Sequence, residues 1–283
     1  MSRIFLCLCL ALFAVTPARA GAVLHQQHNL TILADDSLML PLAEVARGYS
    51  KRTGTPLTVL RNDGGDPARQ LEQGFEAHIL LSADPTLVQR LAQRGLIDVF
   101  GTQSFARTQL ALVAPYRLKP KLALAKRISF AALLFSQPDM PVYANAPSTP
   151  GGLRAQALLQ GREFSHELAG RMVVKNSAGE IAQALQKEDA FALMLAAHAV
   201  SEPDVTIVSL LPESTTETVR YDAVVLASEA MEQARLFTKF LVSDDAQVIF
   251  AHYGFQPPLD ENQDAASSAS GQRARGATSK PSR

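Results

Sequence analysis

The sequence predicts an α/β protein built of doubly wound units, in which buried strands alternate with amphipathic helices. Three observations predict it. Short apolar runs recur between about Asn29 and Phe255. They are apolar throughout rather than alternating, as strands covered on both faces are, the pattern of parallel sheets. The stretches between them carry helix punctuation: capping side chains, a proline at the first helical position, a closing glycine. Alternation on this scale is the signature of doubly wound architecture. With 283 residues, the chain is long enough for one large domain or for two lobes with separate cores.

The expected strands are Leu30 to Ala34, Leu57 to Leu60, Ile79 to Leu81, Leu110 to Ala114, Val142 to Ala144, Phe191 to Leu195, Val205 to Ser209 and Ala223 to Ala227. After the first, Leu38, Leu42, Val45 and Tyr49 share one face at helical spacing. Asp66-Pro67 and Asp84-Pro85 each place a capping carboxylate before a proline suited to the first turn, with Gly74 and Gly95 closing the two segments. Ser243, followed by Asp244 and Asp245, opens a helix that ends at Gly254, its acidic residues set at the positive end of the helix dipole.

Both ends of the chain stand apart. Arg3, the apolar stretch Ile4 to Val15 and Ala18-Arg19-Ala20 before Gly21 form a cleavable secretory signal over residues 1–20, because the run is too short to span a bilayer. Cys7 and Cys9 lie inside it, so the mature chain is expected to carry no disulfide and no thiol nucleophile. From Asp260 to Arg283 almost nothing can be buried, and a disordered tail is expected. With 27 basic and 27 acidic residues the net charge is zero, and no basic field exists to attract nucleic acid or an anionic membrane. No Gly-x-Ser-x-Gly elbow, phosphate-binding P-loop, His-Glu-x-x-His or dinucleotide fingerprint occurs, and His78, His166, His198 and His252 are dispersed, so no enzyme, cofactor or metal centre is expected.

Folds of this class bind ligands where strands end and helices begin. Three loops fit: Ala34-Asp35-Asp36-Ser37, Asn62-Asp63-Gly64-Gly65-Asp66, and Asn145 to Gly152. Helix N-termini there offer backbone N–H groups and partial positive charge, which favour small anions. Asp35, Asp36, Asp63 and Asp66 leave open an acidic mouth for a cation or an amine, and His25-x-x-His28 a transition-metal arm.

The segment Leu30-Thr31-Ile32-Leu33-Ala34-Asp35-Asp36-Ser37-Leu38 resembles the opening strand and first binding loop of the periplasmic molybdate-binding proteins of ABC importers. Ala68 to Gly74, Leu81-Ser82-Ala83-Asp84, Leu110 to Pro115, Thr149-Pro150-Gly151-Gly152, and the stretch from Phe237 to Tyr253-Gly254-Phe255 follow in the same order. The resemblance implies the type II periplasmic-binding-protein fold, two doubly wound lobes with a ligand cleft between them. One lobe would comprise residues 29–115 plus 220–259 and the other 116–219. It further implies a monomer that holds a small molecule, an oxyanion such as molybdate or tungstate, and presents it to an inner-membrane ABC permease. The ligand contacts so implied are Ser37, Gly64, Gly65, Gly151 and Ile181. The sequence departs from the family's pattern in its second loop, where glycines and aspartates replace hydroxyls, and near Ala196, where the family has a tyrosine. The same scaffold holding a cation or a polar organic molecule, or acting as a sensor or partner-binding module, is the alternative.

Overall fold

A computed structural model of the chain describes residues 29–62, 67–118, 130–160, 168, 170–211 and 218–259. The signal segment, His25, His28, Asp63, Gly64, Gly65, Asp66, His166 and the tail from Asp260 onward lie outside the described residues.

Two five-stranded sheets organise the molecule. The first contains β1 (Leu30–Ala34), β2 (Leu57–Arg61), β3 (Ile79–Ser82), β4 (Ile97–Thr108) and β10 (Val219–Leu226), in the order β2-β1-β3-β10-β4. The second contains β5 (Leu110–Pro115), β6 (Val142–Asn145), β7 (Met172–Lys175), β8 (Phe191–Leu195) and β9 (Val205–Leu210), in the order β7-β6-β8-β5-β9. Helices α1 (Met39–Thr53), α2 (Pro67–Glu72), α3 (Pro85–Gln93), α8 (Met231–Leu241) and α9 (Asp244–His252) accompany the first sheet; α4 (Phe130–Phe135), α5 (Pro150–Gln160), α6 (Ala178–Lys187) and α7 (Ala196–Val200) accompany the second.

Each sheet is covered on both faces, as the apolar runs require. On the first, Leu30, Ile32, Ile79 and Val225 pack with Leu42, Val45 and Phe237, while Leu33, Leu80 and Val224 pack with Leu87 and Leu91 on the other side. On the second, Leu112, Ala144 and Leu193 pack with Ala155 and Leu158, and Val113, Ala192 and Met194 with Ile181 and Leu185. Continuous apolarity reports this two-sided burial rather than strand direction. β1, β2 and β3 are parallel, as are β6, β7 and β8, but the fully buried β5 runs antiparallel to both β8 and β9. Both sheets are therefore mixed.

The punctuation acts as its chemistry dictates. Asp84 Oδ1 accepts from the N–H groups of Thr86 and Leu87 at 2.9 and 3.2 Å, capping α3, and Gly74, Gly95 and Gly254 have positive φ. Ser243 precedes α9 but turns its hydroxyl back to donate to Phe240 O.

The chain passes between the sheets twice, and the passages lie side by side. β4 ends at Thr108 and β5 begins at Leu110; on the return, Leu211 N–H donates to Leu110 O and Val219 pairs with Thr108. The first passage therefore falls at Gln109, six residues before the boundary expected after Pro115. The physical reason is that Leu110 to Pro115 bonds to β8 and β9 of the second sheet and to no strand of the first. One apolar cluster runs through the seam, joining Phe105, Tyr221 and Phe255 to Leu110, Ala197 and Leu211.

Candidate functional site

The loops at the carboxyl ends of β1, β2 and β3 meet. Asp35 N–H donates to Leu81 O and Asn62 N–H to Ala34 O. The Asp35 carboxylate then ties them together, accepting from Ala83 N–H at 2.7 Å and from the Ser82 hydroxyl at 3.1 Å. Burial pushes this carboxyl above its ordinary range, and hydrogen bonds from Ala83, Ser82 and Asn62 offset part of the effect. Asp35 is thus a structural acceptor beneath the loop. Its neighbour Asp36 faces outward to Arg61, 2.6 Å away, with both side chains half exposed.

Ser37 is buried, and its hydroxyl lies 2.8 Å from the Tyr221 hydroxyl, 184 residues away in sequence. Burial drives the Tyr221 phenol far above its ordinary range, so it remains protonated and shares one hydrogen bond with Ser37.

From the second sheet comes the loop that leads from β6 into α5. Thr149 accepts Gly152 N–H at its Oγ1 and donates to Ala146 O, capping α5. Gly151, in the first turn, faces Leu195: a Cβ at this position would lie 3.2 Å from Leu195 Cγ. The resemblance set a tyrosine near here. Ala196 is buried there, and the neighbouring Leu195, the last residue of β8, lies against Gly151. The amides that open α7 are also engaged, Ala196 N–H by Gln109 O and Ala197 N–H by Thr108 Oγ1.

The proposed contacts are therefore placed differently. Ser37 bonds to Tyr221 and Gly151 abuts Leu195, both residues of the apolar cluster that runs through the seam. Ile181 lies on the far face of the second sheet from α5, its side chain in that face's core and its N–H donating to Ser177 O within its own helix. Gly64 and Gly65 fall outside the described residues.

Beside these loops the seam holds a cavity of about 410 Å³. Ala83 and Pro85 approach it from the first lobe and Pro150 and Leu153 from the second, with Ser104, Arg107, Arg154, Arg220 and Asp222 among its walls. Its charged lining among the described residues is three guanidiniums and one carboxylate, in a chain of zero net charge. Sequence reading missed these arginines because they come from β4, α5 and β10, and nothing local to any of them marks a site. His198, on α7, is a second feature not foreseen. Both of its ring nitrogens are buried without a hydrogen-bond partner; burial holds its pKa below the ordinary value, and Asp36 across the seam pulls the other way. Among the described residues, no three side chains of His, Cys, Asp or Glu converge as a metal site needs, and no helix is long and apolar enough to cross a membrane.

Two mixed lobes, two adjacent passages and a lined cleft are the plan of a binding protein, and comparison with known proteins gives the family. The model for bacterial extracellular solute-binding proteins matches residues 30–256. The chain belongs to that family. This solute-binding protein is 23% identical to the molybdate-binding protein ModA of Escherichia coli over 244 residues, 86% of this chain and 94% of that one. Its fold is shared with the substrate-binding domain of a putative molybdenum ABC transporter from Clostridium difficile, with a TM-score of 0.70 at 21% identity, covering 82% of this chain and 99% of that one. The periplasmic molybdate-binding protein of Azotobacter vinelandii gives a TM-score of 0.64 at 17% identity, covering 82% and 100%. Family and neighbours are binding proteins rather than enzymes.

Proposed function

We propose that this protein is the periplasmic solute-binding component of an ABC importer, exported by the signal at residues 1–20, which holds a small anion between its lobes as a monomer and presents the closed form to an inner-membrane permease. The observation that carries the reading is the seam cavity, to which both lobes contribute walls, Ala83 and Pro85 from the first and Pro150 and Leu153 from the second. Two lobes joined by adjacent strand passages can close about a ligand by small backbone rotations, the hinge mode of such proteins. The relatives named for molybdate support an anion, and so does the N-terminal turn of the capped α5 at the cavity rim.

Within that class, molybdate and tungstate are the tetrahedral candidates. Against them stand the Asp35 carboxylate under the first loop, the Ser37 hydroxyl already paired with Tyr221, and Leu195 over Gly151. The deciding experiment is thermal unfolding of the purified protein against molybdate, tungstate, sulfate, phosphate and divalent cations, followed with an extrinsic dye because the sequence has no tryptophan. A ligand at a hundred times its Kd stabilises by about 2.7 kcal/mol, a plain shift of the midpoint. An anion shift without a cation shift is the expected result; stabilisation by cations alone would refute the anion reading.

A further inference from the structure

α7 begins where β8 ends and bears on the first lobe. Ala196 N–H donates to Gln109 O and Ala197 N–H to Thr108 Oγ1, both at the passage between the lobes. Gly254, in the turn after α9 of the first lobe, comes so close that a Cβ added to it would lie 2.9 Å from Val200 Cγ2 and 3.1 Å from Ala196 O. His198 is the middle residue of this short helix. Both of its ring nitrogens are buried, and neither has a hydrogen-bond partner.

A neutral imidazole carries one donor and one acceptor. Leaving both unmet in a buried place is costly, and a carbon ring of similar shape would fill the space without that cost. What distinguishes the imidazole from such a ring is that it takes up a proton between about pH 5 and 8. β5, β8 and β9, which pack against α7, bring no ionisable side chain. The charge that acts on the ring is Asp36 of the first lobe, itself paired with Arg61. Glu202 and Asp204 follow α7 in the chain, and His252 and Tyr253 precede Gly254, the Tyr253 hydroxyl donating to Glu44 at 3.4 Å.

We infer that His198 is a proton-operated latch on the lobe seam, which lets α7 seat against the first lobe while neutral and drives the lobes apart when protonated, loosening the hold on the ligand in acid. This rests on the reading of the protein as a receptor whose lobes close, and it adds a regulation to that closure.

In the seated state burial holds the ring below its ordinary value of 6.5, outweighing Asp36; in the open state water restores that value. Between the two values the open form binds a proton that the closed form lacks. Support for closure is therefore full above the ordinary value and is lost as pH falls from there to the closed one. Glu202 acts in the opposite sense. Burial, Asp36 and Asp204 raise its carboxyl above 4.5, so its proton favours closure in a window that opens upward from 4.5.

Small-angle X-ray scattering of the purified protein without ligand, at about pH 8 and about pH 5.5, reads the separation of the lobes. The parent should show the larger radius of gyration at the lower pH with its circular dichroism unchanged, and Glu202→Gln should keep that expansion. His198→Phe should hold one radius at both pH values. His198→Gln, which also takes up no proton, gives the same reading should the phenylalanine variant not fold. The imidazole proton resonance that these variants remove should titrate below 6.5. A parent radius that does not change with pH refutes the latch, and so does an equal expansion in the His198 variants. Loss of the dichroism signal would make the expansion an unfolding and overturn it as well. Because no ligand is used, such a failure is separate from failure of the anion reading, which the thermal unfolding series decides.

Discussion

Gly152→Ala is expected to destabilise the protein by about 3 kcal/mol, near the upper end of overpacking effects. The added methyl would lie 2.0 Å from Ala146 O and 2.4 Å from Asn145 O. Both are backbone atoms of the loop that enters α5, and neither can rotate aside. The helix start must move away from the end of β6, which breaks the Thr149 cap on Gly152 N–H and displaces Gly151 and Arg154 with it. Denaturant unfolding measures the cost, and a midpoint within error of the parent would refute the packing argument. Gly151→Ala is the internal control. Its methyl would meet Leu195 Cγ at 3.2 Å, the branch of a side chain that can give, so it should cost far less stability. The two neighbouring glycines thus serve different ends: one permits close backbone approach, the other leaves space at the cleft.

Much of the fold was legible because burial on two faces leaves its mark along the chain. Every strand the sequence suggested is present, and the Asp84 cap and the α1 face follow from local chemistry alone. Two strands were missed for opposite reasons. β4 runs twelve residues but mixes Gly101, Gln103, Ser104 and Arg107 among its buried positions, so it shows neither continuous apolarity nor clean alternation. β7 is a short strand at the sheet margin with a half-exposed pattern, too little to read. The lobe boundary was misplaced because Leu110 to Pro115 is apolar whichever sheet receives it. The site was least legible. Ser37 and Gly151 stand in loops that sequence can flag, but the Tyr221 partner of Ser37 and the three arginines of the cavity are joined only by the fold.

Asp35→Asn is expected to raise affinity for an anion about tenfold at pH values where the parent carboxyl is ionised, since a negative charge beneath the first loop repels an anion through a medium less polar than water. The substitution keeps an oxygen to accept Ala83 N–H, so the joined loops should survive. It should also stabilise the protein relative to the parent as pH rises, with a definite pH dependence. Burial raises the Asp35 carboxyl above its ordinary value of 3.8, so between that value and the folded one the native state holds a proton the unfolded chain has lost. The contribution of this group to stability is therefore full below the unfolded value and is lost as pH rises through the folded one. Asparagine, which cannot ionise, avoids that loss, so the advantage of the variant should grow as pH rises from 3.8 through the folded value and then level off. Paired thermal melts across that range, with and without the best anion from the panel, read both effects. An advantage that is constant with pH would show that Asp35 is not the titrating group. Weaker anion binding, or the loss of a cation response present in the parent, would turn the first loop from a repelling element into a ligand-holding one and favour the acidic-mouth alternative.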